Sequence, residues 1–351
     1  MNIIDGKRCS SAKAYLAPAM ERPNLDVITG ARTTRIVTAG SRATAVQYLQ
    51  SVKIQEVEAA REILICAGAV QSPQILLLSG IGSSERLAEF GIETVNDLPG
   101  VGQNLQDHLD VVVQYHCTQP SKTLDQILKL HKALPIFFRY LWSQSGTGAE
   151  NPVEAGGFVR SRSYLEIPDV QFHILPYFML DHGRQAGPGS GVALHVCQLR
   201  PESRGEITLR STDPEDDPLI KPNYLSVASD IDVLVDGVKM ARRIFKTDAM
   251  ADFLGEEYET SKGKDTDEQI KEFIRSCAET IYHPVGTCKM GSDSMAVVDS
   301  ELRVHGMEGL RVVDASIMPL LIGGNTNAPT IMIGEKAADM ILHAHSKIKE
   351  D

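Results

Sequence analysis

Apolar and polar residues alternate with the two-residue period of strands over residues 26–29, 33–38 and 43–49, and a continuous apolar run follows over 62–66. The pattern predicts a small β-meander feeding one buried strand. Ser72-Pro73-Gln74 reads as a cap with proline in the first helical turn, carried into 75–78 and stopped by Gly80-Ile81-Gly82. From Asp110 the character changes. Residues 111–116, 158–160, 170–175, 193–199 and 206–209 alternate like strands of an antiparallel sheet. Residues 121–139 predict a helix interrupted at Pro135, 146–157 a loop, 181–191 a glycine-rich surface loop and 213–217 an acidic turn. Helical periodicity returns over 230–245 and 265–278. It returns again after Pro329, with Asn327 as a cap and Ile331, Ala338, Ile341 and Leu342 on one face. The expected architecture is α+β: an antiparallel sheet backed by helices, inserted into a first unit to which the C-terminus returns. The expected cuts are 1–109, 110–291 and 292–351.

Composition narrows the class. With 351 residues, 42% hydrophobic and 23% charged, the chain reads as a soluble globular protein with a substantial core. Its net charge, 35 − 46 = −11, argues against nucleic acid or an anionic membrane surface as the main partner. The first residues carry no basic-then-apolar leader, and no apolar run reaches 18 residues, so a cytoplasmic protein is expected, with peripheral contact at the inner membrane left open. Six cysteines occur without a CxxC pair; buried free thiols are expected, with neither disulfide nor metal.

Two glycine pairs, Gly80-Ile81-Gly82 and Gly100-Val101-Gly102, each resemble half of a dinucleotide fingerprint. Neither has the third glycine or a βαβ context, so both are rejected as phosphate loops. The start of the C-terminal helix offers free backbone N–H groups and a partial positive charge that can stabilise an anion. An ordinary capped helix is the competing reading.

Three groups of residues carry a resemblance. They are the run from Gly68 to Gly82; Leu98-Pro99-Gly100-Val101-Gly102-Gln103-Asn104-Leu105-Gln106-Asp107-His108; and Tyr282-His283-Pro284-Val285-Gly286-Thr287-Cys288-Lys289-Met290-Gly291 with Asp314-Ala315-Ser316 and Asn325 to Lys336. In this order they resemble the signature segments of the glucose–methanol–choline (GMC) flavoprotein oxidoreductases, most of all the branch of choline dehydrogenases and bacterial alcohol dehydrogenases. The resemblance implies FAD as cofactor and oxidation of a primary alcohol, choline-like or aliphatic, to an aldehyde. The electrons would pass to a quinone or another acceptor.

The resemblance also implies site residues. His283 matches the catalytic histidine, and an imidazole can act as a base near neutral pH. Asn327 matches the second catalytic position. The Thr33 backbone matches the position that contacts adenine, with Ala67 nearby; Asp314 and Ala315 match the diphosphate–ribityl region, and Asn327, Ala328, Pro329 and Thr330 the pyrimidine end of the flavin. Glu154 matches a carboxylate that faces a substrate cation; His173 lines the substrate site or is a satisfied core histidine. The family begins with a glycine-rich Gly-x-Gly-x-x-Gly unit that this sequence lacks. Two expectations follow: an enzyme completed by a missing N-terminal half, or a non-catalytic remnant or partner-dependent subunit unable to bind FAD alone.

Overall fold

The computed structural model describes residues 2–347 apart from 152, 154 and 186. In chain order its main elements are β1 (Ala31–Ala39), β2 (Arg42–Gln50), β3 (Lys53–Glu58), β4 (Ile63–Ile65), α1 (Gly68–Leu78), β5 (Leu109–Cys117), α2 (Leu130–Ser143), β6 (Ala155–Val159), β7 (Val170–Leu175), β8 (Gly191–Gln198), β9 (Glu206–Thr208), β10 (Leu219–Lys221), α3 (Ala228–Phe245), β11 (Leu254–Glu257), α4 (Asp267–Cys277), β12 (Glu279–Thr280), β13 (Leu310–Val312) and α5 (Asn327–Lys347).

A sheet unit comprises Met1–Asp26, Leu109–Leu199 and Ala228–Ile281. Its strands run β6-β7-β8-β5-β11, all antiparallel, and β12 pairs the start of β5. Helix α3 buries Ile231, Leu234, Val238, Ala241 and Phe245, an apolar stripe at helical spacing. Gly237 lets it sit close to the sheet: a Cβ there would lie 2.4 Å from a Val196 methyl. Side chains alternate along a strand, so His195 points to the face opposite Val196. Helix α4 starts at a capping box of Thr266 and Gln269 and buries Ile270, Phe273 and Ile274.

The motif unit comprises Val27–His108, Arg200–Val227 and Tyr282–Asp351. Strands β1-β2-β3 form an antiparallel meander, and β4 pairs with β13 in parallel. Its core gathers Ile63, Ile65, Leu76, Leu77, Val285, Val298, Leu310 and Val312.

Several expectations are corrected. Residues 26–29 form no strand; β1 begins after Gly30. Strand β3 was not expected, because its hairpin turns at Ser51-Val52, both at positive φ (48° and 63°), where glycine or asparagine is the usual signal. Helix α2 runs through Pro135, and the break falls at Leu128 and Lys129. The carbonyl that Pro135 leaves without a donor belongs to exposed His131, where water can replace it. Strand β9 pairs with β10 in the motif unit, not with the main sheet.

The cuts differ too. Residues 200–227 group with the motif unit because Leu105 and Gly205 exchange backbone hydrogen bonds and Ile207 N–H reaches the Gly102 carbonyl. The first residues group with the sheet unit, where Gly6 packs on the Gln144 carbonyl. Among the described side chains of α5, Ile333 and Ala337 are buried, Ile331, Met340 and Ile341 half-buried, and Ala338 and Leu342 exposed. All six cysteines are free thiols, but only Cys9, Cys197 and Cys288 are buried, while Cys66 and Cys277 are exposed.

Candidate active site

Residues 282–291 have no helix or regular strand of their own and are held by backbone bonds on two sides. Gln106 and Val285 donate to each other's carbonyls at 3.1 and 2.9 Å. Across the segment, the Cys288 and Met290 N–H groups donate to the Ser316 and Ile317 carbonyls at 2.9 and 2.7 Å. The Asn104 and Gln106 amides both donate to the Pro319 carbonyl, and Gln106 Oε1 accepts from Leu321 N–H. Three chain segments, 104–108, 283–290 and 314–322, are thus laced together by main-chain and amide hydrogen bonds. Gly286 makes the crossing possible. It holds φ 93°, and a Cβ would lie 2.6 Å from the Asn104 carbonyl oxygen.

His283 sits at the end of this weave. Its backbone N–H donates to Asp107 Oδ1 at 2.9 Å, and Asp107 Oδ2 accepts the Tyr224 hydroxyl at 2.5 Å. Its ring Nδ1 lies 3.0 Å from His108 Nδ1, the two rings edge-on at 84°. His108 is fully buried, and its Nε2 lies 3.1 Å from the Ile322 carbonyl. Burial pushes the His283 pKa below the ordinary imidazole value, and the Asp107 charge only partly offsets this. At neutral pH His283 is therefore an uncharged imidazole able to accept a proton.

The other candidates fall in distinct places. Thr33 and Ala67 line one cavity of about 430 Å³, with Gly30, Ala31 and Gln71 beside them. That volume is within the range of small-ligand pockets. Asp314 is buried and tied to the protein: Oδ2 accepts from Gly68 N–H (2.9 Å) and the Ser72 hydroxyl (2.5 Å), and Oδ1 from Ser316 N–H (2.8 Å). Its carboxylate therefore organises the start of α1. Helix α5 begins at Asn327 itself, so Asn327 is its first residue and not the cap before it. Thr326 precedes it, and the Thr326 carbonyl accepts from both the backbone N–H and the hydroxyl of Thr330. Asn327 and Ala328 are exposed, Pro329 and Thr330 half-buried.

His173 lies on β7 in the sheet unit, directly opposite Gly156 on β6 and His195 on β8. Glu154 lies outside the described residues. Reading the sequence singled out His283 but not the three residues that fix it, Asp107, His108 and Tyr224. Asp107-His108 closes the Leu98–His108 motif, yet only the fold shows which groups it touches.

Sequence models of one family account for most of the chain, its N-terminal part matching residues 1–110 and its C-terminal part residues 201–334. The chain belongs to the GMC oxidoreductase family. GMC oxidoreductases are FAD-dependent flavoproteins acting on CH–OH donors, and the α+β architecture is theirs. The chain is 49% identical to an oxygen-dependent choline dehydrogenase of Cronobacter sakazakii, over 96% of its own length and 60% of the relative's. It is 46% identical to an alcohol dehydrogenase [acceptor] of Pseudomonas putida, over 96% and 61%. Among solved structures, the formate oxidase of Aspergillus oryzae superposes with a TM-score of 0.92 at 26% identity, covering 98% of this chain and 65% of that one. The chain thus spans about three-fifths of the length of the relatives it matches.

Proposed function

We propose that this GMC chain carries the proton-accepting site of an FAD-dependent alcohol oxidation, with a primary alcohol, choline-like or aliphatic, as substrate and an aldehyde as product. The observation that carries the reading is the His283 imidazole anchored at its backbone by Asp107 and at its ring by His108, with burial favouring its uncharged form. His283 takes the hydroxyl proton, and the Asn327 amide donates to the substrate oxygen as negative charge develops. Acceptance of the hydride, which no side chain can perform, is the chemistry that FAD supplies when bound. Thr33 and Ala67 fit the adenine end through their shared cavity, and Asp314-Ala315 with Asn327 to Thr330 offer backbone along the rest. For the substrate end, Glu154 and His173 carry over from the family resemblance, and a quinone or another acceptor takes the electrons.

The test is a visible absorption spectrum of the chain titrated with FAD, followed by addition of alcohols, choline first. A bound-flavin spectrum that bleaches with alcohol is expected, and His283→Ala should cut turnover by roughly 10²-fold or more. Unchanged turnover in that variant would remove His283 from the reaction. A second reading is a remnant or partner-dependent subunit that takes up FAD only with further polypeptide. The span of three-fifths of the relatives' length favours testing it, and a chain that stays colourless at saturating FAD would select it.

Peripheral contact with an anionic membrane surface belongs to the same proposal. Among the described residues no helix is long and apolar enough to cross a membrane. Helix α2, however, buries none of its residues and exposes Leu130, Phe137, Phe138, Leu141 and Trp142, the last 93% exposed. Residues 126–149 hold Lys129, Lys132 and Arg139 and no acidic residue, in a chain of net charge −11. An apolar face with cations beside it is the pattern of a helix lying in a lipid interface. Trp142 is the single tryptophan, so intrinsic fluorescence reads this helix directly. Vesicles containing phosphatidylglycerol should shift its emission to the blue, less so at high salt. Emission unchanged by such vesicles would rule the contact out.

A further inference from the structure

Two ring contacts settle where the protons on a pair of histidines lie. The Ile322 carbonyl can only accept, so the His108 Nε2 that lies 3.1 Å from it must carry a hydrogen. His108 is fully buried, where the uncharged ring is favoured. An uncharged ring with its hydrogen on Nε2 has a bare Nδ1. That bare Nδ1 faces His283 Nδ1 at 3.0 Å, and two bare nitrogens would repel there. His283 must therefore supply the hydrogen from its own Nδ1, and its Nε2 is left with the free lone pair. We propose that His108 is a positioning residue: it holds His283 as the Nδ1–H tautomer and so makes Nε2 the atom that accepts a proton.

The arrangement also has a mechanical side. Ile322 stands five residues before Asn327, so the hydrogen-bonded line His283–His108–Ile322 ties the histidine ring to the strand of chain that leads into α5. Asp107, the neighbour of His108, holds the backbone of His283. Two successive residues thus fix one residue at both its main chain and its ring, which restricts rotation of the imidazole about its side-chain bonds. The assignment of His283 as the base in alcohol oxidation rests on the function proposed above; the tautomer assignment does not.

The test is a long-range ¹H–¹⁵N correlation spectrum of the full chain labelled with ¹⁵N-histidine, His283 being identified by its loss in His283→Gln. A protonated Nδ1 and a bare Nε2 on His283 are expected at neutral pH. A hydrogen on Nε2, alone or with one on Nδ1, would overturn the proposal. His108→Asn places an amide oxygen near the lost Nδ1 and should preserve the His283 pattern; His108→Leu removes the acceptor and should give a mixture of tautomers. If His108→Leu does not fold, His108→Gln, which can reach the Ile322 carbonyl without offering an acceptor at the Nδ1 position, makes the same comparison. An unchanged His283 pattern in the leucine or glutamine variant would reduce His108 to a packing role. In FAD-loaded protein, the variant lacking the acceptor should lose turnover by about tenfold, part of the 10²–10⁴ a positioned base contributes, with recovery in His108→Asn. Wild-type protein that shows the expected tautomer but oxidises no alcohol would defeat the proposed function and leave the positioning result standing.

Discussion

The Thr287 hydroxyl donates over 2.6 Å to the backbone carbonyl of Ala69, the carbonyl that Pro73 leaves without its helical donor. A proline inside a helix removes the N–H that would bond four residues back, and here that residue is Ala69. Thr287 comes from the His283 segment, 218 positions along the chain. A break in one helix has become the attachment point of the candidate catalytic loop.

The relationship predicts a compensating pair. Thr287→Val keeps the shape and strands a buried carbonyl, which should cost about 1–3 kcal/mol. Pro73→Ala restores an N–H that can reach Ala69, so the double variant should recover part of that loss. Chemical denaturation of the two single variants and the double variant gives the coupling energy. Strictly additive losses would show that the carbonyl is not the shared partner.

The acidic cap on α1 predicts a larger effect. Asp314 accepts three hydrogen bonds, two of them from residues more than 240 positions away. Asp314→Ala leaves Gly68 N–H and the Ser72 hydroxyl without their acceptor and should cost about 2–3 kcal/mol, in the range of bonds to a charged group. Ser72→Ala should cost less, because Gly68 keeps its partner. The order of the two variants in denaturant midpoint is the check, and a larger loss for Ser72→Ala would reverse the assignment.

Between β4 and β13 a buried ion pair makes a third case. Arg311 Nε lies 2.6 Å from the Glu62 carboxylate, with Arg311 only 4% exposed, and Nη1 donates to the Glu301 carbonyl. Glu62→Leu leaves a buried guanidinium short of its counter-charge and should cost about 3–5 kcal/mol; replacing both partners, with Arg311→Met, should cost clearly less. Equal losses in the single and double variants would mean that the arginine is held by its carbonyl contact alone.

These examples show what could be read before the fold was in hand. The strands β1, β2, β5, β7 and β8 and the helices α3 and α4 follow from apolar patterning and caps. His283 was visible because its motif is long. The start of α1 was not: Ser72 looks like a cap, but the helix begins four residues earlier because Asp314 arrives from the far end of the chain. The buried face of α5 is only partly legible for a similar reason: of the expected residues Ile331 and Ile341 are half-buried, Ala338 and Leu342 exposed. Several of its faces carry apolar residues, and what packs against Ile333 and Ala337 decides between them. The His108–His283 contact required both segments to be folded together, and no spacing in the sequence encodes it.

Two histidines should make stability respond to pH in opposite senses. Burial lowers His283 below the ordinary 6.5, with Asp107 opposing. For His195 burial again opposes the charge, but the Asp110 carboxylate, touching Nδ1, outweighs it and holds the pKa above 6.5. A lowered histidine binds fewer protons folded than unfolded, so its stabilisation is present above pH 6.5 and is lost as pH falls from 6.5 through its folded value. A raised histidine does the reverse: its contribution is full below 6.5 and is lost as pH rises through the folded value. His283→Asn should therefore flatten the acid side of a stability profile, and His195→Gln the alkaline side, while lowering stability at pH 6 by leaving Asp110 unpaired. The measurement is denaturant unfolding from pH 5 to 9 for both variants, with each histidine titrated by NMR in the native chain. A His195 that titrates below 6.5 would show that Asp110 does not hold the imidazolium, and the alkaline loss would then have to come from another group.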